Sequence, residues 1–195
     1  ALSPLLLTTI LALRFTGEGE IFFRQARVGQ NKKSFGLMKF ATMMKNSENL
    51  GAGTVTLKDD FRVLPLGKVL RKTKINELPQ LFNIFMGHMS VIGPRPLHQK
   101  QFSFYSEKDQ DLISSVKPGL SGVGSIIFRD EEKILQESSD PDATYKQLIT
   151  PRKAALEIWY VNNKSIVLYF RLIVLTIIAV IIPSLDMNKF FKDIN

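Results

Sequence analysis

The sequence contains no cysteine and only two histidines, and these absences remove whole classes of chemistry. Without cysteine the chain can form neither a disulfide nor a thiolate metal site, and it is compatible with a reducing compartment. The two histidines, His88 and His98, have no metal-binding partners at a useful spacing. Both are therefore expected to be structural or exposed residues rather than metal ligands.

Long apolar runs are scarce as well. Residues 2–13 are mostly apolar, but they fall short of the ~20 residues that a membrane-spanning helix needs. They also lack the charged start and the cleavage site of a signal peptide. From the residues alone, an ordinary core helix is as good an interpretation as a membrane segment.

A second apolar segment, residues 166–182, carries Arg171 as its one charge and stops at Pro183. A helix that spans the bilayer and one that lies in a single leaflet both remain open, and we favour the second. In the tail after Pro183, Met187, Phe190 and Phe191 stand beside Lys189 and Lys192, which is typical of an interfacial amphipathic segment, although a frayed terminus would have the same composition.

Positive charge is concentrated in one half of the chain. The formal net charge is +8, and residues 14–74 hold 13 basic and 5 acidic residues, whereas residues 75–195 hold 13 of each. A basic segment beside apolar helices suits anionic lipid headgroups and phosphorylated substrates, although charge alone also permits mere solubility or nucleic-acid binding. Aromatic residues are not interleaved with the basic ones as a stacking platform requires, so we expect no nucleic-acid partner.

Hydrophobic periodicity predicts an α/β fold that is mostly helical, with a small β-hairpin. There is no internal repeat, and we expect a single domain over residues 1–195. The predicted strands cover residues 21–23 and 34–40, with a turn at 29–31, and the predicted helices between the two apolar segments cover residues 66–74, 77–85, 99–116 and 150–163.

Two neighbouring stretches favour an anion-binding site. Asn76 ahead of Pro79 predicts a helix N-cap, which places Glu77 in the first turn. Without further information, such a glutamate would be assigned to stabilising the helix dipole. In residues 93–96, Gly-Pro-Arg-Pro, two prolines restrict the backbone and hold the Arg95 guanidinium out toward an oxyanion.

Motifs that belong together stand in order along the chain, at residues 22–29 (Phe-Phe-Arg-Gln-Ala-Arg-Val-Gly), 39–43 (Lys-Phe-Ala-Thr-Met), 76–83 (Asn-Glu-Leu-Pro-Gln-Leu-Phe-Asn), 87–96 (Gly-His-Met-Ser-Val-Ile-Gly-Pro-Arg-Pro) and 117–122 (Lys-Pro-Gly-Leu-Ser-Gly). Together they resemble the bacterial sugar transferases, the monotopic polyprenyl-phosphate glycosyl-1-phosphate transferases. The resemblance extends from residue 3 to roughly the end of the last apolar helix. The family usually has aspartate where this chain has Asn76, and again where it has His88.

The resemblance implies a membrane enzyme at the cytoplasmic face of the bacterial inner membrane. It would transfer a sugar-1-phosphate from a UDP-sugar to undecaprenyl phosphate with Mg²⁺, starting an exopolysaccharide, capsule, O-antigen or glycoprotein glycan. Residues 1–13 would be the remnant of a re-entrant helix kinked at Pro4, residues 14–165 the catalytic core, and residues 166–195 an interfacial helix and tail. Anionic lipids are further expected partners, and a homo-oligomer is left open.

The resemblance also assigns site residues. Glu77 matches the family's magnesium ligand, and Asn76 occupies the place of its phosphoryl-accepting aspartate. Arg95, Lys39, Arg129 and Arg27 are the expected ligands of substrate phosphates.

A carboxamide is a very poor nucleophile, so Asn76 departs from the family chemistry. Three interpretations follow: an engineered inactive variant, a natural enzyme in which Glu77 or direct attack by the lipid phosphate suffices, or a degenerate relative that binds the lipid carrier or acts as a scaffold. As an N-cap, Asn76 could be exchanged for aspartate with almost no change in stability.

Overall fold

The computed structural model describes residues 3–50, 60–129, 131, 135, 138 and 140–191, except for the side chains of Glu48, Pro141 and Asp142. The chain forms two compact units. The first consists of residues 1–25 and 36–83, and the second of residues 26–35 and 84–195. This division does not test the expectation of a single domain, which stays a prediction.

Helix α1 (Ser3–Phe15) opens the first unit and confirms the predicted helix over the described part of residues 2–13. Pro4 lies in its first turn, where the missing N–H costs no hydrogen bond. Leu13 is buried together with Phe40 and Leu70 in the core of this unit. The partly buried residues around that core are all apolar: Leu6, Ile10, Ile21, Leu66, Ile75 and Leu78.

The predicted hairpin is confirmed, with a first strand that is longer than expected. Strands β1 (Phe22–Val28) and β2 (Ser34–Phe40) pair in a two-stranded sheet. The Gly29 N–H donates to the Lys33 carbonyl at 2.9 Å and closes the connection. Within the connection, Asn31 has φ of 54°, a left-handed conformation that asparagine tolerates better than most residues.

Helix α2 (Pro65–Lys72) forms close to its predicted position, but the helix predicted over 77–85 is divided. Ile75–Glu77 forms a 3₁₀ turn, and α3 (Gln80–Phe85) begins only after Pro79. The cause lies at Lys74, whose φ of 59° turns the chain sharply just before this 3₁₀ turn. The following N–H groups bond three residues back, as in Glu77 to Lys74 at 3.1 Å, so the turn is tighter than an α-helix.

The second unit contains a parallel pair of short strands, β3 (Ser90–Ile92) and β4 (Gly119–Ser121), in which Ser90 lies opposite Gly119 and Ile92 opposite Ser121. Between these two strands, the prediction of a single helix over residues 99–116 is wrong. The chain forms α4 (Gln99–Phe102) and α5 (Glu107–Ser114) instead. Ser106 causes the break, because its hydroxyl accepts the Asp109 N–H at 3.2 Å and starts a new helix.

After α6 (Val123–Ile127), the helix predicted over residues 150–163 forms with those bounds, but other helical turns precede it. The segment α7 (Pro141–Thr144) continues through a π-helical turn, Tyr145–Ile149, into α8 (Thr150–Asn163). The predicted α-helix from Thr150 to Asn163 is therefore confirmed, although it continues from a π-helical turn and has no free start at Thr150. Instead of capping the helix, the Thr150 hydroxyl donates to the Tyr145 carbonyl at 2.9 Å, just before Pro151, which has no N–H to donate.

Helix α9 (Ile166–Ile181) packs one face into the main core of the second unit and leaves the other uncovered. Leu172 is fully buried, together with Val123 of α6. Among the residues described, no helix has the length and apolar character needed to cross a membrane. The uncovered face consists of Val167, Phe170, Val174, Ile177 and Ile181, spaced three or four residues apart.

The tail after α9 turns most of its apolar residues inward. Met187–Phe190 forms a 3₁₀ turn, in which Met187 is buried, and Phe191 is buried directly after it. Both belong to the main core of the second unit. Phe190 is exposed, so the apolar side chains of the tail chiefly support the core.

Candidate active site

Asn76 and Glu77 are the predicted catalytic dyad. Both lie in the first unit, within the 3₁₀ turn. Asn76 is 7% exposed, and its Oδ1 has no hydrogen-bond partner among the described residues. The prediction that Asn76 caps the helix is wrong. Lys74 stands at the cap position, and no side chain there bonds the backbone.

This correction changes what Asn76 contributes. A buried carbonyl oxygen without a partner costs about 1–3 kcal/mol, whereas a capping oxygen would have stabilised the helix. The oxygen is a ligand atom of the kind that magnesium prefers, and the half-buried carboxylate of Glu77 follows directly in the chain. Magnesium usually takes one or two protein oxygens and fills its remaining positions with water and substrate phosphates. The pair therefore fits such an ion.

Asn83, at the end of the dyad motif, fixes α3 to β2. Its side chain is 3% exposed, accepts the Met38 N–H at 2.9 Å and donates to the Gly36 carbonyl at 2.8 Å. Both partners lie on the strand that carries half-buried Lys39. The two hydrogen bonds of Asn83 thus connect α3, which follows Asn76 and Glu77, with the strand that carries Lys39. This role of Asn83 was not predicted from the sequence. The one signal was an asparagine among the apolar positions of a short helix.

The remaining predicted phosphate ligands lie in the second unit: Arg27, Arg95 and Arg129. The structure thus groups Asn76, Glu77 and Lys39 in one unit and the three arginines in the other. Arg27 is half-buried near the end of β1, and Arg95 is exposed. Their predicted roles stay predictions.

The Arg95 turn is held by its backbone. The Gly93 N–H donates to the Ser121 carbonyl at 2.9 Å, and the Gly119 N–H donates to the Pro94 carbonyl at 2.8 Å. The chains approach so closely that a Cβ added to Gly93 would lie 2.5 Å from the Lys117 carbonyl oxygen. The guanidinium is thus exposed on a turn whose flanking residues are buried.

Three charged side chains lie beneath this turn. Glu157 is 2% and Lys153 1% exposed, one helical turn apart on α8. The Arg95 N–H donates to Glu157 Oε1 at 3.3 Å, and the Lys153 ammonium pairs with the Glu131 carboxylate. Burial raises the pKa of Glu157 to about 7, although the Arg95 N–H and the Lys153 charge oppose the rise. Burial also lowers the pKa of Lys153.

Sequence reasoning missed these buried charges. Leu156 and Tyr160 of α8 are buried and lie on one face of the helix. Lys153 and Glu157 share that face, because residues three and four apart lie on one side of a helix. The signal available in the sequence was a lysine and a glutamate four residues apart at apolar positions.

Arg129 holds the end of α9. Its guanidinium donates to the Ala179 carbonyl at 3.0 Å, to the Leu185 carbonyl at 2.8 Å and to the Pro183 carbonyl. The last carbonyls of a helix have no partner within it, and a cation beside them is favourable. The structure therefore gives Arg129 a structural role at this helix end.

The predicted ligands do not belong to a cluster of metal-binding side chains among the described residues. They also do not line a cavity that lies in the first unit. Within the described ranges, no group of three or more His, Cys, Asp or Glu side chains could hold a metal ion. The cavity measures about 310 Å³ and lies between the end of α1 and the start of α2. It is lined by Leu13, Thr16, Gly17, Glu18, Glu20, Met43, Leu64, Pro65, Leu66 and Gly67.

Comparison with known proteins identifies the class. Residues 1–183 match the model of the bacterial sugar transferase family. The chain belongs to this family, as the motifs predicted.

The chain is 33% identical over 182 residues to the uncharacterized sugar transferase EpsL of Bacillus subtilis, covering 93% of this chain and 80% of EpsL. It is 34% identical over 182 residues to the UDP-glucose:undecaprenyl-phosphate glucose-1-phosphate transferase of Klebsiella pneumoniae, with 90% of this chain but 36% of that protein covered. It is 39% identical over 130 residues to the UDP-N-acetylgalactosamine-undecaprenyl-phosphate N-acetylgalactosaminephosphotransferase of Aeromonas hydrophila, covering 64% and 30%. The chain thus spans about a third of each of these last two proteins, whose names state a reaction.

Proposed function

We propose that this chain transfers a sugar-1-phosphate from a UDP-sugar to undecaprenyl phosphate, in the synthesis of an exopolysaccharide or a related glycan. The observation that carries the proposal is the family match over residues 1–183, together with relatives whose names state this reaction for glucose and N-acetylgalactosamine. No residue of this chain can be tied to one hydroxyl pattern, so the proposal does not extend to the identity of the sugar.

The phosphoryl transfer requires cations more than it requires an acid. An oxygen of the lipid phosphate attacks the β-phosphorus of the donor, the bond from this phosphorus to the bridging oxygen breaks, and UMP leaves. Negative charge accumulates around the phosphorus, and positioned cations lower the barrier. Arg95 and Lys39 would bind the diphosphate, and Glu77 and Asn76 would hold Mg²⁺, which supplies further positive charge.

Asn76 decides which route the reaction can take. A covalent route, in which the side chain of residue 76 first accepts the phosphosugar, requires a nucleophilic carboxylate, and an amide does not provide one. Direct attack by the lipid phosphate needs no such group. For the chain with Asn76, the proposed route is therefore the direct one.

Each unit offers an apolar surface for a membrane. In the first unit Leu7, Leu11 and Phe15 of α1 are exposed, and in the second the face of α9 around Val174 is uncovered. Exposed apolar patches of this kind mark membrane or protein contacts. Since undecaprenyl phosphate lies in the membrane, we place the enzyme on the cytoplasmic face of the inner membrane, as a monotopic protein whose basic residues meet anionic lipid headgroups.

A non-enzymatic role is the second candidate, favoured by Asn76 itself. A relative without the nucleophilic carboxylate could bind the lipid carrier or serve as an assembly scaffold. Such a protein would bind undecaprenyl phosphate and Mg²⁺ without transferring sugar.

A sugar-transfer assay separates the two candidates. The full chain in detergent is mixed with undecaprenyl phosphate, Mg²⁺ and a panel of radiolabelled UDP-sugars, and label is counted in the lipid phase. Label that depends on Glu77 supports the enzyme, with Glu107→Gln as a matched control because Glu107 lies on the exposed face of α5. Absence of transfer from every donor, in a protein that still binds a UDP-sugar and Mg²⁺, supports the non-enzymatic role.

A further inference from the structure

The backbone of the Arg95 turn has two anchors on α8 in addition to its bonds with β4. The Tyr160 hydroxyl donates to the Ile92 carbonyl at 3.3 Å, and Glu157 Oε1 accepts the Arg95 N–H. Glu157 and Tyr160 are three residues apart, so they project from one side of the helix. The strand β3 and the turn after it are thus fixed to α8 at both ends.

The Glu157 carboxylate is tightly packed where it meets the Arg95 turn. A Cβ added to Gly124 would lie 2.4 Å from Glu157 Oε1, so any larger residue there would have to displace the carboxylate. The second oxygen, Oε2, is buried and has no hydrogen-bond partner within the part of the chain that the structure describes. A carboxylate in such surroundings is costly, which makes a purely space-filling role a poor explanation of its presence.

The neighbouring lysine is engaged elsewhere. Lys153 lies one turn before Glu157 on α8, and its ammonium pairs with Glu131. The hydrogen bond to Glu157 Oε1 comes instead from the backbone of Arg95. The carboxylate is therefore directed at the residue whose side chain is the expected phosphate ligand.

We propose that Glu157 is a positioning residue, which holds the Arg95 backbone so that the exposed guanidinium meets the diphosphate of the donor. The inference rests on the proposed function for the identity of that anion. A guanidinium binds two phosphate oxygens at once only in a fixed orientation, and a turn that moves loses this geometry. Glu157 acts through Arg95 and does not itself touch the donor.

The test measures donor binding and transfer separately. UDP-sugar affinity is determined by calorimetry on the full chain in detergent, and donor kcat/KM is determined in the transfer assay. Glu157→Met removes the acceptor at similar volume, and we expect roughly a tenfold loss of donor affinity, because a hydrogen bond to a charged group is lost. Affinity for the lipid phosphate should not change. Tyr160→Phe is the matched control, since it removes the other α8 anchor, which bonds Ile92 rather than Arg95.

A double-mutant cycle distinguishes positioning from general support of the fold. If Glu157 acts through Arg95, the double variant Arg95→Ala/Glu157→Met should bind the donor no worse than Arg95→Ala alone. Losses that multiply would overturn the proposal. So would unchanged donor affinity in folded Glu157→Met.

A second variant keeps the test decisive if Glu157→Met does not fold. Gly124→Ala pushes the carboxylate away without removing it, and we expect a loss of donor affinity that again disappears in the Arg95→Ala background. Normal donor affinity in the Gly124→Ala variant overturns the inference. A wild-type chain that binds a UDP-sugar but transfers none contradicts the proposed function and leaves this binding test intact.

Discussion

Asn76 Oδ1 in the first unit and Glu157 Oε2 in the second are buried oxygens without a hydrogen-bond partner among the described residues, as is Ser125 Oγ. The first belongs to a neutral amide in a tight turn before α3. The second belongs to a carboxylate beneath the Arg95 turn, with a pKa raised to about 7. Unsatisfied buried oxygens are rare, and both lie beside expected ligands of the substrate. The difference is that Asn76 Oδ1 is an expected ligand atom of the proposed Mg²⁺, whereas the other oxygen of the Glu157 carboxylate, Oε1, already accepts the Arg95 N–H.

The largest expected effect concerns the carboxylate beside Asn76. Glu77→Gln should abolish sugar transfer, a loss of roughly 10³-fold or more, because the proposed metal ligand, worth several kcal/mol of transition-state stabilisation, is removed. The measurement is radiolabel transferred to undecaprenyl phosphate, with Glu107→Gln as the control. Full activity in Glu77→Gln would show that the dyad is not the catalytic centre.

The next largest effect is the pH dependence of the free energy of unfolding, to which the Glu157 carboxyl contributes. Its folded pKa is raised from the ordinary 4.5 to about 7, so the folded state holds this proton more tightly than the unfolded state. The resulting stability is fully present below pH 4.5 and is lost as the pH rises toward 7. The loss is on the order of 3 kcal/mol. Free energies of unfolding at pH 5 and 8 should therefore differ more in the wild type than in Glu157→Gln.

Several charged or titratable groups surround the Glu157 carboxylate. Arg95 and Lys153 favour the ionised carboxylate, while Tyr105, Tyr145 and Tyr160 are the other titratable groups that it affects. The phenols have raised pKa values and stay neutral over this range. Lys153→Met would separate the contribution of the lysine. An equal pH dependence in wild type and Glu157→Gln would mean that Glu157 does not titrate as described.

A smaller effect is expected at the phosphate ligands. Arg95→Ala and Lys39→Ala should each lower donor kcat/KM by about ten- to a hundredfold, since a charge-assisted contact contributes roughly 1.5–3 kcal/mol. The fold should hold, because Arg95 is exposed and Lys39 lies on a strand pinned by Asn83. Lys72→Ala, at an exposed position on α2, is the matched control for loss of a cation. Unchanged kinetics in both variants would contradict these assignments.

Local signals in the sequence predict part of this molecule and miss features that the folded backbone determines. The family, the transferase class, the hairpin and the two apolar helices were predicted because motifs and apolar runs are local signals. The loss of the cap at Asn76 was not predictable, because it depended on the left-handed conformation of Lys74, which no local preference of lysine indicates. Glu157 was missed because its partner, the backbone of Arg95, is 62 residues away in the sequence.

The smallest effect on stability is expected at Asn76, where aspartate would restore the usual residue of the family. In the absence of Mg²⁺, Asn76→Asp should lower the free energy of unfolding by at least about 1 kcal/mol, because a carboxylate without a partner is then buried where a neutral amide stood. Added Mg²⁺ should reverse this loss, since an ion bound only by the folded state stabilises it. Chemical denaturation with and without Mg²⁺ measures both, and Asn83→Asp, at a buried asparagine whose side chain bonds β2, controls for a new carboxylate elsewhere.

The same variant, Asn76→Asp, should raise transfer and allow a phosphosugar adduct to be trapped on residue 76. If the chain with Asn76 is already fully active, and the aspartate form is no faster and traps no adduct, direct attack by the lipid phosphate is the mechanism. A loss of stability that Mg²⁺ does not reverse would show that the ion does not bind beside residue 76.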